Sequence, residues 1–281
     1  MLIYAPVKLK MLRKNGDSDE INLAIASGFF WQHDNDFYLI TNWHNVTGWD
    51  PVNDRSMSKL GGQPTHLEMP LLLKAEATAD NRSMAVRKRY YLSLYETDGT
   101  PKWIEHAALG RHVDVVALKI AQLDDTLVSR PINTLNDFVD FAPTVGGDVF
   151  VLGYPGGVDG GHELAIWKRG SIASQPFLDI DQLPKILIDT ATRSGMSGAP
   201  VIARRSGIIV PKDIPSTPDA LSGKEIIGQA NTFLGVYSGR IGDDPMGLQL
   251  GIVWKANVID EIVRNGKPGQ GPFEQNGLQQ A

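Results

Sequence analysis

The sequence predicts an all-β fold of the barrel or sandwich type, and three features of the 281-residue chain support this prediction. Short apolar or alternating segments separated by turn residues run through most of the chain, as they do in antiparallel barrels and sandwiches. Residues 256–264 alone have helical spacing, with Val258, Ile259, Ile262 and Val263 on one face. The length fits two barrels of about 110–130 residues each, and a hydrophobic fraction of 42% is enough for sizeable cores.

In the first half, three pairs of β-rich segments flank polar turns at residues 15–18, 33–36 and 96–100, which predicts three hairpins. A further apolar strand is predicted at 114–120. Residues 48–64 are predicted to form a surface loop, because Gly, Pro and small polar residues are frequent there. The predicted hairpin arms are 7–11 with 23–30, 28–31 with 37–41, and 89–95 with 102–106.

A segment without clear periodicity, which contains Pro131 and Pro143, is predicted to connect two domains. Gly266 fits the end of the late helix, and the residues after it are rich in Gly, Gln and Pro, a composition typical of disorder. The predicted strands of the second half are 148–155, 164–171, 186–190, 200–203, 232–238 and 248–254. The predicted domains are a first barrel at 1–125, a connection at 126–143, a second barrel at 144–254, a helix at 255–265 and a disordered tail at 266–281.

The charge balance and the missing cysteines exclude several classes of function. Lys and Arg number 27 against 32 Asp and Glu, a net charge of −5 that argues against general nucleic-acid binding. The absence of cysteine removes disulfides, thiolate metal sites and a cysteine nucleophile, and no other metal-ligand spacing is present, so we expect no cofactor. The sequence has neither a signal-peptide pattern nor an apolar window of about 18 residues. We therefore expect a cytoplasmic protein without a membrane partner, with export by another route and the oligomeric state left open.

A candidate nucleophile lies in the segment Thr192-Arg193-Ser194-Gly195-Met196-Ser197-Gly198-Ala199-Pro200-Val201. Glycines near Ser197 allow a tight turn that brings backbone N–H groups close to a ligand. Such a loop suits acyl transfer, because the hydroxyl attacks a carbonyl while the N–H groups hold the oxyanion. By itself the segment also fits an ordinary hairpin turn between strands, so the choice depends on the rest of the chain.

A serine nucleophile needs a base, and the base needs an acid that orients it. Among the six histidines, His44 directly follows an apolar strand at 38–41, where a base would be held firmly at a barrel rim. Asp114 begins the apolar strand at 115–118. Taken singly, His44 also fits a buried or rim histidine, and Asp114 also fits a solvated strand start.

The three residues occur in the order His44, Asp114, Ser197, and their motifs resemble those of the chymotrypsin-like (trypsin-like) serine peptidases, in particular the cysteine-free bacterial branch. An α/β-hydrolase elbow is excluded because Ala199 takes the place of its second glycine. The matching segments are Ser27-Gly28-Phe29, Thr41-Asn42-Trp43-His44, Asp114-Val115-Val116-Ala117-Leu118, Gly153-Tyr154-Pro155, Gly195-Met196-Ser197-Gly198-Ala199-Pro200, Gly235-Val236-Tyr237-Ser238-Gly239 and Gly251-Ile252-Val253.

The resemblance implies two antiparallel six-stranded β-barrels followed by an α-helix, and a peptide or protein as the substrate. It also implies that Ser197 attacks the scissile carbonyl, that His44 transfers the proton and that Asp114 orients His44. The backbone N–H groups of Gly195 and Ser197 would form the oxyanion hole. The implied substrate-binding residues are Ala191 at the base of the primary pocket, Thr192, Tyr237, Ser238 (which would also donate to Asp114), Gly239, Arg240 and, in the back wall of the pocket, Gly251.

Some departures from the family pattern bear on function. Met196 stands where activatable relatives have Asp, so activation by a newly cut N-terminus is not expected. Ala191 cannot pair with a basic side chain, so cleavage after Arg or Lys is not expected. Arg240 fits either a solvated side chain or a contact that favours an acidic substrate. We expect no peptide-binding domain after the helix. The alternative to an active peptidase is a catalytically silent module of the same fold that binds peptides or a protein partner.

Overall fold

Antiparallel strands in two groups, one from each half of the chain, build the computed structural model. It describes residues 1–15, 19–58, 62–74, 86–123, 125–212, 225–241 and 248–272. In the first half the elements are β1 (Pro6–Asn15), β2 (Asp19–His33), β3 (Asp36–Thr41), α1 (Trp43–Thr47), β4 (Trp49–Asp50), β5 (Arg55–Ser56), β6 (His66–Leu72), β7 (Arg87–Ser93), β8 (Trp103–Glu105) and β9 (Val116–Ile120). In the second half they are β10 (Asp148–Gly153), β11 (Ile166–Ile172), β12 (Lys185–Asp189), β13 (Pro200–Ile209), β14 (Ile226–Arg240), β15 (Leu250–Lys255), α2 (Asn257–Asn265) and β16 (Lys267–Pro268). Short 3₁₀ helices lie at Leu2–Tyr4, Gly110–His112, Ile132–Thr134 and Pro155–Gly157.

The first sheet has eight strands in the order β16-β8-β9-β3-β2-β1-β6-β7. It curls so that its two ends approach each other: the backbone N–H of Lys102, just before β8, donates to the carbonyl of Leu94, just after β7, at 2.9 Å. Trp103 from β8 and Leu67 from β6 are buried in the same hydrophobic cluster. The first half therefore encloses one core, but its sheet has eight strands and not the predicted six.

Two of the three predicted hairpins are confirmed, because β1 pairs with β2 and β2 with β3. The tip of the first, residues 16–18, lies outside the described residues. The third, between 89–95 and 102–106, is wrong as a pair of strands, since β7 pairs with β6 and β8 with β9. Its turn does form, with Glu96 N donating to Thr100 O at 2.8 Å. The arms pair only next to this turn, where Tyr95 and Pro101 form an antiparallel bridge. Beyond it they separate, because β8 places Trp103 in the core, whereas β7 is the exposed edge of the sheet.

The second half forms a closed barrel of six strands in the order β10-β11-β12-β15-β14-β13. Alternate residues of its strands face the inside, as in β12, where Ile186 and Ile188 are buried and Leu187 between them is half-buried. Val151 and Val253 fill the same core from β10 and β15. The predicted fold class, an all-β double barrel of the chymotrypsin-like type with a C-terminal helix, is confirmed.

The two halves share a third apolar cluster, which contains Phe29 from β2 and Leu152 from β10. The predicted helix is confirmed as α2, and Val258, Ile259 and Ile262 on its apolar face are buried in this cluster. It contacts β8, β9 and β14 and so touches both halves of the molecule. Among the described residues no helix has the length and apolarity needed to cross a bilayer.

The prediction of a disordered tail at 266–281 is wrong for the residues that directly follow α2. There β16 pairs with β8, Gly269 N donates to Trp103 O at 2.8 Å, and Gln270 N donates to the Glu105 carboxylate at 2.7 Å. A Cβ at Gly269 would lie 2.2 Å from the Trp103 ring. Glycine, which suggested disorder, therefore permits close packing here. The rest of the predicted tail, 273–281, lies outside the described residues.

Candidate active site

The base and the acid predicted from the sequence lie together where the two halves of the molecule meet. His44 Nδ1 is 2.6 Å from Asp114 Oδ2, and the backbone N–H of His44 donates to Asp114 Oδ1 at 3.0 Å. Both residues are buried, His44 with 6% and Asp114 with 4% of its surface exposed. Because the carboxylate accepts from Nδ1–H, the tautomer that fits this geometry leaves the Nε2 lone pair available.

His44 follows a strand as predicted, but Asp114 does not begin one. His44 belongs to α1, a five-residue helix that follows β3, and Asp114 precedes β9 by two residues. The chain leaves β3 at Asn42, whose side-chain amide donates to the carbonyl of Asp114 at 2.6 Å. Gly48 ends α1 in the left-handed conformation, with its N–H donating to the carbonyl of His44 at 2.9 Å. These hydrogen bonds fix the position of α1 and with it that of His44.

Ser238 at the end of β14 completes the surroundings of the acid. Its hydroxyl donates to Asp114 Oδ2 at 2.6 Å, as the resemblance implied. The carboxylate of Asp114 therefore accepts from a backbone N–H, an imidazole N–H and a hydroxyl. These bonds hold the carboxylate against the imidazole.

Ser197 is held at its backbone and bonded at its side chain to the second barrel. Its carbonyl accepts from Ser27 N at 2.8 Å and from Asn45 Nδ2 at 3.1 Å. Its hydroxyl donates to the carbonyl of Ser238 at 3.4 Å, and within the described residues it makes no hydrogen bond to His44. The hydroxyl must leave the carbonyl of Ser238 before it can bond to Nε2. Hydrogen bonds of this kind are often long or misaligned until a substrate binds.

The loop before Ser197 has the peptide orientation that exposes N–H groups to the cleft. The carbonyl of Ser194 accepts from Gly156 N at 2.7 Å, so in the trans peptide the N–H of Gly195 points the opposite way. Gly195 has φ +93°, and a Cβ there would lie 2.3 Å from the carbonyl of Tyr154, so glycine is required. In the described part of the chain, neither Gly195 N nor Ser197 N donates to a protein acceptor. Two N–H groups are thus available for an oxyanion.

Met196, between those two residues, is fully buried in the core of the second barrel. The methionine side chain anchors the loop by apolar packing at a position where activatable relatives carry a charge. Hydrogen bonds from other segments hold the loop carbonyls on either side of it. Apolar packing and hydrogen bonds therefore hold the loop in its observed conformation, without a charged side chain at position 196.

The predicted substrate-binding residues lie around this loop, with one correction. Thr192 and Gly251 are buried next to Tyr237, whose hydroxyl is hydrogen-bonded to Thr192 Oγ1. Ala191 is exposed and does not form a buried pocket base, because the chain turns so that Thr192, rather than Ala191, faces inward. The remaining residues are half-buried at the end of β14: Ser238, Gly239 and Arg240.

The sequence assigned no role to three residues that shape the site. Ser27, fully buried, donates through Oγ to the carbonyl of Gly195 at 2.8 Å. Asn45, which bridges Ser197 O and Thr41 Oγ1, directly follows His44 in the chain. Their positions inside or beside the quoted motifs were the available signal.

The third, Lys8 in β1, is buried to 8% exposure and lies 3.5 Å from Asp159 and 3.2 Å from Glu163. It ties the first sheet to the segment that packs on the loop before Ser197, although no motif marked it. Burial raises the pKa of Tyr154 in the same segment, so its hydroxyl stays protonated. The glycine-rich stretch at 156–161 thus packs against the candidate site through the bond from Gly156 N to Ser194 O.

A family model for the trypsin-like peptidase domain matches residues 26–210, which include His44, Asp114 and Ser197. Because this match spans well over half of the chain, the protein belongs to the trypsin-like peptidase domain family. A similar solved structure is that of Rv3671c from M. tuberculosis H37Rv, a serine-to-alanine mutant in its inactive form. It has 18% sequence identity and a TM-score of 0.44, over 92% of this chain and 84% of that chain. No curated protein matches the sequence.

Proposed function

We propose that this protein is a serine endopeptidase that hydrolyses peptide bonds through an acyl-enzyme. Ser197 is the nucleophile, His44 the general base and acid, and Asp114 the residue that orients His44. The observation that carries the proposal is the 2.6 Å contact between His44 Nδ1 and Asp114 Oδ2 beside a loop with two unpaired N–H groups. The proposed substrate is a peptide or protein, and no step needs a cofactor.

The first step is attack on the scissile carbonyl. Ser197 Oγ bonds to the carbonyl carbon as its proton passes to Nε2 of His44. The imidazolium that forms is stabilised by the ionised carboxylate of Asp114, which stays unprotonated. Three hydrogen bonds keep that carboxylate in place throughout, one of them from Ser238.

The oxyanion that develops in this step lies against the N–H groups of Gly195 and Ser197. Removal of one such donor from an oxyanion hole costs about 10²–10³ in kcat. Collapse of the intermediate expels the amine, which takes the proton from His44, and leaves an ester on Ser197. Water then attacks the ester with His44 again as the base, and the acid product leaves.

The proposed division of labour follows the two halves. Residues 1–125 supply the base and the acid, and residues 144–254 supply the nucleophile and the oxyanion hole. The peptide would lie in the cleft between them, beside the end of β14. In this arrangement the two halves must keep their relative position for the reaction to occur.

The second candidate is a catalytically silent module that holds a peptide in the same cleft. It is favoured by the hydrogen bond of Ser197 Oγ to Ser238 O instead of His44. Against it stands the loop orientation, since an inert loop would have the Gly195 peptide turned outward. The two candidates differ in whether Ser197 is chemically reactive.

A fluorophosphonate probe separates them. We expect labelling of wild-type protein at Ser197, located by mass spectrometry, and none of the Ser197→Ala or His44→Ala proteins. Ser206→Ala, at an exposed serine of β13, is the matched control and should be labelled like wild type. If folded wild type stays unlabelled and binds peptides as well as Ser197→Ala does, the protein is the silent module.

A further inference from the structure

The side chain of Tyr237 occupies the space next to the candidate nucleophile loop. It extends from β14, is 1% exposed, and makes a hydrogen bond through its hydroxyl to Thr192 Oγ1. On β15, a Cβ at Gly251 would lie 2.6 Å from Cε2 of the Tyr237 ring and 3.3 Å from Ile188 Cγ1. The ring therefore spans from β14 to the loop before Ser197 and to β15, with no room for a side chain at position 251.

The backbone of Tyr237 is bonded directly to the residues that follow the nucleophile. Gly198 N donates to Tyr237 O at 2.8 Å, and Tyr237 N donates to Ala199 O at 2.9 Å. Its partner Thr192 precedes Ser197 by five residues in the same loop. The ring thus lies beneath the loop, between the segments before and after Ser197. A substrate carbonyl held between Ser197 Oγ and Gly195 N would place its own side chain over this ring.

We propose that Tyr237 fills the recess beside Ser197, defined by Thr192, Tyr237, Ile188 and Gly251, and restricts cleavage to peptides with Gly, Ala or Ser on the acyl side of the broken bond. This inference rests on the proposed peptidase function and names its substrate class. A larger aliphatic or aromatic side chain would overlap the ring. A charged one would meet a buried tyrosine, a buried threonine and apolar groups, with no ionised partner among these four residues.

The ring is anchored, which makes the restriction a property of the site rather than of one rotamer. To vacate the recess, the hydroxyl must leave Thr192, which is fully buried and would lose its partner. The ring also packs close to Gly251 and lies in the same buried cluster as Ile188, which limits its freedom to move. Burial raises the pKa of Tyr237 to about 12, so the hydroxyl stays a neutral donor at the pH of an assay.

The test measures kcat/KM on peptides that differ only in the residue on the acyl side of the cleaved bond: Ala, Leu or Phe. For wild type we expect kcat/KM for the Ala peptide to exceed that for the Phe peptide by about 100-fold or more. One methylene group more or less in a hydrophobic pocket already changes kcat/KM by about 10- to 200-fold. Tyr237→Ala empties the recess and should shift the Phe-to-Ala ratio upward by about 10- to 100-fold. Tyr237→Leu is the second variant, in case the alanine protein does not fold.

Tyr237→Phe is the matched control, because it keeps the ring against Gly251 and removes only the hydroxyl; its ratio should lie closer to that of wild type than to that of Tyr237→Ala. A wild type that cleaves Phe and Ala peptides equally overturns the proposal. So does an unchanged ratio in a folded Tyr237→Leu protein. Fluorophosphonate labelling is measured in parallel: labelled protein with a flat profile refutes only the size restriction, whereas unlabelled folded protein refutes the peptidase function and this inference with it.

Discussion

Ser27 Oγ donates a 2.8 Å hydrogen bond to the carbonyl oxygen of Gly195, across 168 residues of sequence and from one half of the molecule to the other. The same residue donates through its backbone N–H to Ser197 O at 2.8 Å and accepts from Thr41 Oγ1 at 2.8 Å. It therefore couples the loop that contains Ser197 with the strand that leads to His44. A residue in this position holds the two parts of the candidate site together.

Ser27→Ala should lower kcat by about 5- to 30-fold and leave KM within about twofold of wild type. The reason is that a buried hydrogen bond worth about 1–2 kcal/mol, which fixes the carbonyl of Gly195 between the two N–H groups of the proposed oxyanion hole, is lost. Steady-state kinetics gives the split between kcat and KM, and the rate of fluorophosphonate labelling should fall in parallel. Ser206→Ala is the control, and an equal loss in both variants, or a change in KM alone, would contradict a positioning role.

Glu105 is a buried carboxylate that joins α1, the helix that contains His44, to the segment that follows α2. Its Oε1 accepts from Trp43 Nε1 at 2.9 Å, from Trp103 Nε1 at 3.0 Å and from Gln270 N at 2.7 Å. Glu105→Ala leaves two buried indole N–H groups without an acceptor, and the free energy of unfolding should fall by about 2–5 kcal/mol. Urea unfolding measures this loss. The exposed Glu96→Ala is the control, and a loss no larger than in that variant would refute the prediction.

Tyr237 should also make stability depend on alkaline pH. Because burial raises its pKa to about 12, the folded protein keeps a proton that the unfolded chain releases above about pH 10. Its contribution is complete below pH 10 and is lost as pH rises toward 12, amounting to about 2–3 kcal/mol across that interval. Unfolding free energies of wild type and Tyr237→Phe at pH 8 and 11 measure it.

At pH 8 the Tyr237→Phe protein should be less stable than wild type by about 1 kcal/mol, since the bond to Thr192 is gone. At pH 11 this difference should shrink or reverse, because the variant has no phenol to ionise. Tyr91→Phe, at an exposed tyrosine, provides the baseline for general alkaline effects. A difference that stays constant between the two pH values would show that the hydroxyl has no raised pKa.

The strands of the second barrel could be predicted well from the sequence, because apolar alternation and turn residues are local signals. It also brought His44, Asp114 and Ser197 into one hypothesis through their motifs and their order. It placed His44 on a strand end because a five-residue helix such as α1 is too short to show a period. The predicted hairpin of 89–95 with 102–106 was wrong as a pair of strands, since a turn sequence does not reveal whether the strands on either side of it pair with each other.

What the sequence could not provide depends on contacts between distant residues. Ser27, in a predicted strand, and Gly195, in a predicted loop, are small residues without a visible connection until the fold joins them. The sequence analysis assigned the base of the primary pocket to Ala191. The side chain that fills the recess beside Ser197 comes instead from Tyr237, and the sequence does not show which way its ring points. Composition misled at Gly269, where the absence of a side chain serves packing against Trp103 rather than freedom of the chain.

The return of the chain to the first sheet through β16 has a consequence for the integrity of the molecule. The halves are connected covalently by residues 126–143, and β16 and α2 add a second, noncovalent link between them. A fragment that begins after the connection would thus carry its own strand and helix for docking onto the first half. The architecture is that of a protein suited to fragment complementation, in which two separately made pieces, each with part of the candidate triad, reassemble.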